Sequence, residues 1–386
     1  MTRRVEPAEP GHAAAQAHRV TFIDLARALA VLFMLYGHTV TALLAPVYQQ
    51  GTWFDVWQIQ RGLTSSLFML LGGFAFSIAT ARHWQSHVTW SSPVAKRVRR
   101  FVLLMLLGYS LRLPVDRLTQ LGQATPENWS AFLTVDVLQL LGVTFIGLQV
   151  LVLLCRSRRV FMGVALSTAA AVVWATAPAG RVDWTERMPA WVAPYLSTAT
   201  GSLFPALPWS AFVLLGAGLG QLYSRWGAAD LRAFSRWGLL APGTLLLMLA
   251  FVSRVLPYPA LLANPFATPP REFALRAGGC LIVMAGIAFA SRRISQLPRV
   301  YAAIAQESLL IYFLHICIVY GSVWNVGLVS RYAGTLGPWR TLAAVVFVIT
   351  TTAGLAWLWN SWKRNDPKTA RFVPWVVGVA MVGWVL

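Results

Sequence analysis

Three ionisable side chains stand in one apolar run of this chain, FIDLARALAVLFMLYGH at residues 22–38: Asp24, Arg27 and His38. On a helix Arg27 and His38, eleven residues apart, lie about 20° apart around the axis and about 16 Å apart along it. They share a face. Asp24 stands three residues before Arg27 on that face and can pair with its guanidinium, which lowers the cost of a cation in apolar surroundings. Ionisable groups in such runs face a bundle interior or a water-filled cavity, so the stripe predicts a polar passage with Arg27 near one end and His38 deeper. The plainer alternative is an Asp24–Arg27 pair that anchors the helix at an interface, with His38 held by packing. An imidazole in a passage can accept and return a proton as a general base, or carry a transferred group covalently.

Other polar residues lie where they can line the same passage. In AQESLLIYFLH, Glu307 precedes His315 by eight residues, about 12 Å of helix. In FLTVDVLQLLG, Asp136 and Gln139 share a helical face, and YSLRLP places Arg112 at the end of the preceding apolar run. Arg112 and Asp136 can meet across the short connection, as a structural clamp or as a functional pair. SSPVAKRVRR, residues 91–100, gathers Arg97, Arg99 and Arg100 just before an apolar run. Such a cluster serves membrane topology and anionic headgroups, and it also suits the phosphates of a soluble ligand.

The elements that must hold these residues are membrane helices. Apolar residues make up 57% of the 386 and charged residues only 12%, too few to cover an ordinary water-facing surface. Runs near the ~20 residues of a spanning helix recur about eleven times, over residues 20–47, 63–81, 100–113, 132–154, 160–178, 204–223, 237–256, 274–291, 300–321, 341–361 and 372–386. Strand-type alternation is absent, so the expected fold is all-α, a polytopic bundle rather than a barrel. The net charge of +19 follows the loops. Arg82, Lys96 to Arg100, Arg156 to Arg159, Arg225 to Arg236, Arg292 to Arg299 and Lys363 to Arg371 fall on one side with the amino terminus. The other side holds Arg61, Arg117, Arg181, Arg187, Arg271, Arg276, Arg331 and Arg340. The positive-inside rule then places the amino terminus in the cytoplasm and the chain in a multi-pass membrane, expected to be a bacterial inner membrane. That distribution accounts for the charge without nucleic acid.

Residues 1–19 are polar, Ala-rich and broken by Pro7 and Pro10, and are expected to be a disordered tail rather than a signal peptide. Residues 20–386 are expected to form one membrane domain. Cys155, Cys280 and Cys317 fall in or beside apolar runs, so neither a disulfide framework nor a metal site is expected. No dinucleotide or phosphate-binding glycine motif and no H-E-x-x-H pattern is present. Any chemistry must occur within the bundle or at its mouths.

FIDLARALAVLFMLYGH resembles the opening helix of membrane-bound acyltransferases, in which an arginine and a histidine recur with ten residues between them. SLFMLLGGFAFSIA resembles the family's second helix, TVDVLQLLG its fourth, LFPALPWSAFVLLGAGLG its F-P-x-x-P-W lead into a glycine-rich span, and QESLLIYFLH its late helix. The ordered set, over roughly 20–325, is similar to the branch containing the heparan-α-glucosaminide N-acetyltransferase catalytic domain. One departure is that HTVTALL lacks the acidic residue that often follows the histidine in relatives.

The resemblance implies acyl transfer across the membrane, in which an acetyl or other acyl group leaves cytosolic acyl-CoA and reaches an extracytoplasmic sugar, glycan or glycolipid. Under that reading Arg27, Arg97, Arg99 and Arg100 hold phosphate or orient the pantetheine arm, and His38 meets the thioester as base or acyl carrier. Glu307 keeps the passage polar or orients a donor group, His315 orients an oxyanion or acceptor, and Asp24, Arg112, Asp136 and Gln139 line the route. No metal is implied. The rival reading is a transporter or flippase, whose sign is a pair of interrupted helices at corresponding positions of two halves. No such pair is clear in the sequence.

Overall fold

The computed structural model describes residues 21–253, 270–294 and 297–386. The tail expected at 1–19 and much of the connection expected at 257–275 lie outside the described residues. Twelve helices carry the fold: α1 (Thr21–Leu43), α2 (Thr52–Arg82), α3 (Ser92–Ser110), α4 (Val137–Cys155), α5 (Arg158–Ala179), α6 (Ala206–Gly227), α7 (Leu231–Val252), α8 (Pro270–Ser291), α9 (Arg299–Gln306), α10 (Ser308–Val319), α11 (Pro338–Asn365) and α12 (Val373–Val385). Short helical turns and one two-stranded hairpin, Gly321–Ser322 with Asn325–Val326, fill the connections.

Among the described residues eight of these helices are long and apolar enough to cross a membrane, and α9 with α10, bent by 79° at their junction, raises the number to nine. The two further spans expected from the sequence correspond to α3 and α12. Helix α3 starts at Ser92 because Pro93 sits in its first turn, where a missing N–H costs nothing. Lys96, Arg97, Arg99 and Arg100 are therefore inside the helix, not in a loop before it. Helix α12 has 13 residues, short of the ~20 a crossing needs. Helix α2 differs in the other direction. Its 31 residues make about 46 Å, longer than a ~30 Å hydrocarbon core, and its first turns carry exposed Trp53, Val56 and Ile59.

Helix α1 is central, packed against α2, α8, α9, α10 and α11. That position turns the whole Arg27–His38 stripe toward protein. The tightest seam joins α2 to α6. A Cβ at Gly73 would lie 1.8 Å from Val213 O, and one at Gly216 would lie 2.0 Å from Leu70 O. Only glycine permits this approach, which in a membrane supplies the dispersion contacts that hold helices together. Phe22, Phe74, Tyr223 and Phe234 close one end of the seam with edge-to-face ring contacts.

Candidate functional site

The histidines from opposite ends of the sequence meet. Helix α1 brings His38 and helix α10 brings His315 to a ring-centroid separation of 5.2 Å, edge to face. Tyr320 lies 5.8 Å from His38, and Tyr312 lies 5.3 Å from His315. The end of α1 is held in place by backbone bonds from Gly334 to Ala42 O and from Leu336 to Leu43 O, so His38 has a fixed address.

The hydrogen bonds define the chemistry of the pair. His315 is fully buried, and its Nδ1 lies 3.1 Å from Ile311 O. A carbonyl only accepts, so Nδ1 carries the proton and Nε2 presents its lone pair in the neutral ring. That Nε2 is buried without a partner, and so is His38 Nδ1. Buried polar atoms are nearly always satisfied, and two facing exceptions mark a place that a ligand completes. Among the described residues no three His, Cys, Asp or Glu side chains gather as a metal would need.

Charge surrounds the pair at the same end of the bundle. Asp136 caps α4 by accepting from Val137 N at 2.8 Å, while its own N–H donates to Gln139 Oε1 at 3.3 Å. Arg112 Nη2 pairs with Asp136 Oδ2 at 3.2 Å, as the sequence spacing allows. The carboxylate acts electrostatically on His38, Tyr312 and Tyr320, and Arg61 of α2 acts on His38 and Tyr320. Gln139 is fully buried beside Gly108 of α3, and its Nε2 has no partner. Val135, next to Asp136, accepts at its carbonyl from Leu203 N and Phe204 N and donates to Ser202 Oγ. Those bonds tie Asp136 to the rim of a cleft of about 400 Å³ whose lining includes Arg181, Asp183, Thr185, Ser197 and Trp209. Asp183 accepts from the Thr185 hydroxyl and N–H, which holds its carboxyl below the usual carboxylate range.

Toward the other end, Arg27 Nη1 reaches Ala305 O of α9 at 3.5 Å, and Asp24 acts on its charge. Glu307 sits at the bend between α9 and α10 and is buried. Its Oε1 accepts from Asn360 Nδ2 at 2.9 Å and from Lys363 Nζ at 2.5 Å, both on α11. Asn360 Nδ2 also donates to Gln306 Oε1 at 3.0 Å. A sharp bend leaves backbone groups unpaired and needs such ties. Glu307 is thus the joint that sets the direction of α10 and the position of His315.

Arg97, Arg99 and Arg100 are not brought to Arg27 by any described contact. Arg97 turns into the bundle wall, donating to Thr80 Oγ1 at 2.9 Å and Gln149 Oε1 at 3.3 Å, with its guanidinium 5.1 Å over Phe76. Gln149 in turn donates to His87 O, and burial pushes the His87 pKa below its ordinary value. Arg99 and Arg100 are exposed.

Sequence reasoning missed Tyr312, Tyr320, Arg61, Asn360 and Lys363. Tyr312 stands one helical turn before His315, a spacing that was available. Arg61 and Lys363 had been absorbed into the loop charges, and nothing local marked Asn360.

Apolar helices around interior polar residues, with two facing imidazoles at their centre, define an integral membrane protein with a histidine-centred site. The family model described as heparan-alpha-glucosaminide N-acetyltransferase, catalytic, matches residues 19–255, well over half of the chain, and the chain belongs to that family of transmembrane acetyltransferases. The match covers Asp24, Arg27, His38, Arg97, Arg99, Arg100, Arg112, Asp136 and Gln139, whereas Glu307 and His315 lie beyond it. No curated protein matches the chain.

Proposed function

We propose that the protein transfers an acetyl or related acyl group from cytosolic acyl-CoA to the hydroxyl or amine of a sugar, glycan or glycolipid on the opposite face. The observation that carries this reading is the His38–His315 pair with its two unpartnered ring nitrogens. The donor thioester enters past Arg27 and Asp24, with Arg99 and Arg100 available to its phosphates. One imidazole takes the acceptor proton as the acceptor attacks the thioester carbonyl. The carbon–sulfur bond then breaks and the imidazolium returns that proton to the thiolate, so the ring ends as it began. An acyl-histidine relay divides the same balance into two steps. Arg112, Asp136 and Gln139 serve the acceptor end. The cleft lined by Asp183, Ser197 and Trp209 offers hydroxyl partners and an aromatic face, which suit a saccharide.

The bend between α9 and α10 is a feature a transporter would share. The described residues contain one such pair rather than two at corresponding positions, so transport is the weaker reading. Incubating the purified protein with radiolabelled acetyl-CoA and a cell-envelope extract tests the proposal. Label should pass to a glycan-containing fraction, and His38→Ala should abolish that passage. No transfer, together with no thermal stabilisation by saturating acyl-CoA and clear stabilisation by another solute, overturns it in favour of transport.

A further inference from the structure

We propose that a cleft between the start of α9 and the end of α11 binds the phosphate of an anionic phospholipid headgroup, and that this lipid braces the bend between α9 and α10. The cleft, about 390 Å³, is lined by Arg299, Trp357, Ser361, Arg364 and Asn365. That size lies in the ~300–1,000 Å³ range of small-molecule pockets. Two guanidinium groups face one cavity here, and among the described residues neither has a carboxylate partner. Arg364 spends only long bonds locally, from Nε to Asn360 O at 3.3 Å and from Nη2 to Ser361 Oγ at 3.4 Å. Paired guanidinium forks match the oxygens of a phosphate and repel other cations.

The surroundings favour a lipid over a soluble phosphate. Trp357 is 40% exposed, and Leu355 and Leu358 on the same helix are 43% and 56% exposed, giving acyl chains an apolar face that leads away from the cleft. Tryptophan with arginine at a helix end is the pattern of a membrane–water interface. Lys363, Lys368 and Arg371 surround it with further positive charge, which attracts anionic headgroups.

The position gives the lipid a structural effect. Arg299 opens α9, whose Ala305 carbonyl receives Arg27. Arg364 follows Lys363, the partner of Glu307 at the bend. A phosphate held by both arginines ties α9 to α11 a second time, beside the tie that Glu307 already makes. This inference depends on membrane insertion and not on acyl transfer.

The test places the purified full chain in nanodiscs of phosphatidylcholine alone or of phosphatidylcholine with phosphatidylglycerol. The readouts are the unfolding temperature and the lipid retained in native mass spectrometry. Phosphatidylglycerol should raise the unfolding temperature and remain bound. Arg299→Gln with Arg364→Gln should weaken retention about tenfold, the loss expected for a charge-assisted contact. If the double variant does not fold, Arg299→Gln alone, at an exposed position, should still lose most of the phosphatidylglycerol increment. Equal retention in the unmodified chain and the variants overturns the site. A separate arm adds acyl-CoA or inorganic phosphate to the phosphatidylcholine discs. A stabilisation there that vanishes in the variants would reassign the cleft to a soluble phosphate and overturn the lipid.

Discussion

His315→Asn separates chemistry from architecture at the centre of the bundle. The asparagine amide can keep the donation that Nδ1 now makes to Ile311 O at 3.1 Å, but it has no basic nitrogen to replace Nε2. The fully buried site loses some volume, a stability cost of roughly 1–3 kcal/mol. Removing a general base costs about 10²–10⁴ in rate, or roughly 3–5 kcal/mol of barrier. His38→Gln should cost a similar factor. Because the rings lie 5.2 Å apart, they are expected to serve one transfer and to act as a unit. The double variant should then be hardly worse than the poorer single, whereas independent contributions would multiply. The assay is the initial rate of acetyl transfer from labelled acetyl-CoA in nanodiscs, normalised to folded protein. A folded His315→Asn enzyme within about threefold of the unmodified rate would remove His315 from the chemistry. Multiplicative losses would refute the coupling between the rings.

At the bend, Lys363→Ala should destabilise more than Glu307→Gln in thermal unfolding, because it strands a buried carboxylate whereas the half-exposed lysine can turn to water. Equal losses would deny Glu307 its role as a joint. Gly216→Ala should lower stability by roughly 1–3 kcal/mol, since its Cβ would fall 2.0 Å from Leu70 O; an unchanged unfolding temperature would contradict the close α2–α6 approach. Asp136→Asn preserves the helix cap and removes the charge, so it should change stability by less than about 1 kcal/mol while lowering kcat/KM. A large stability loss with unchanged kcat/KM would make the Arg112–Asp136 pair a clamp only.

The membrane-helix class was legible because burial in lipid demands long apolar runs, and those runs are local. The Asp24, Arg27 and His38 stripe was legible for the same reason, since three residues on one helix share a face by arithmetic alone. Arg112 with Asp136 was accessible through the short connection between their helices. The start of α3 was misjudged because a dense basic cluster reads as a loop, although Pro93 permits a helix through it.

Local periodicity thus determined the helices and their polar faces, because hydrogen bonding within a helix needs no distant partner. It also carried the family motifs. Partnership was a different matter. The meeting of His38 with His315, the tie from Glu307 to Asn360 and Lys363, and the inward turn of Arg97 toward Thr80 and Gln149 each join helices far apart in the chain. Which helices become neighbours depends on how their surfaces pack, as in the seam where Gly73 meets α6. Such contacts leave no fixed spacing to read, so the bundle alone decides which polar groups share a site.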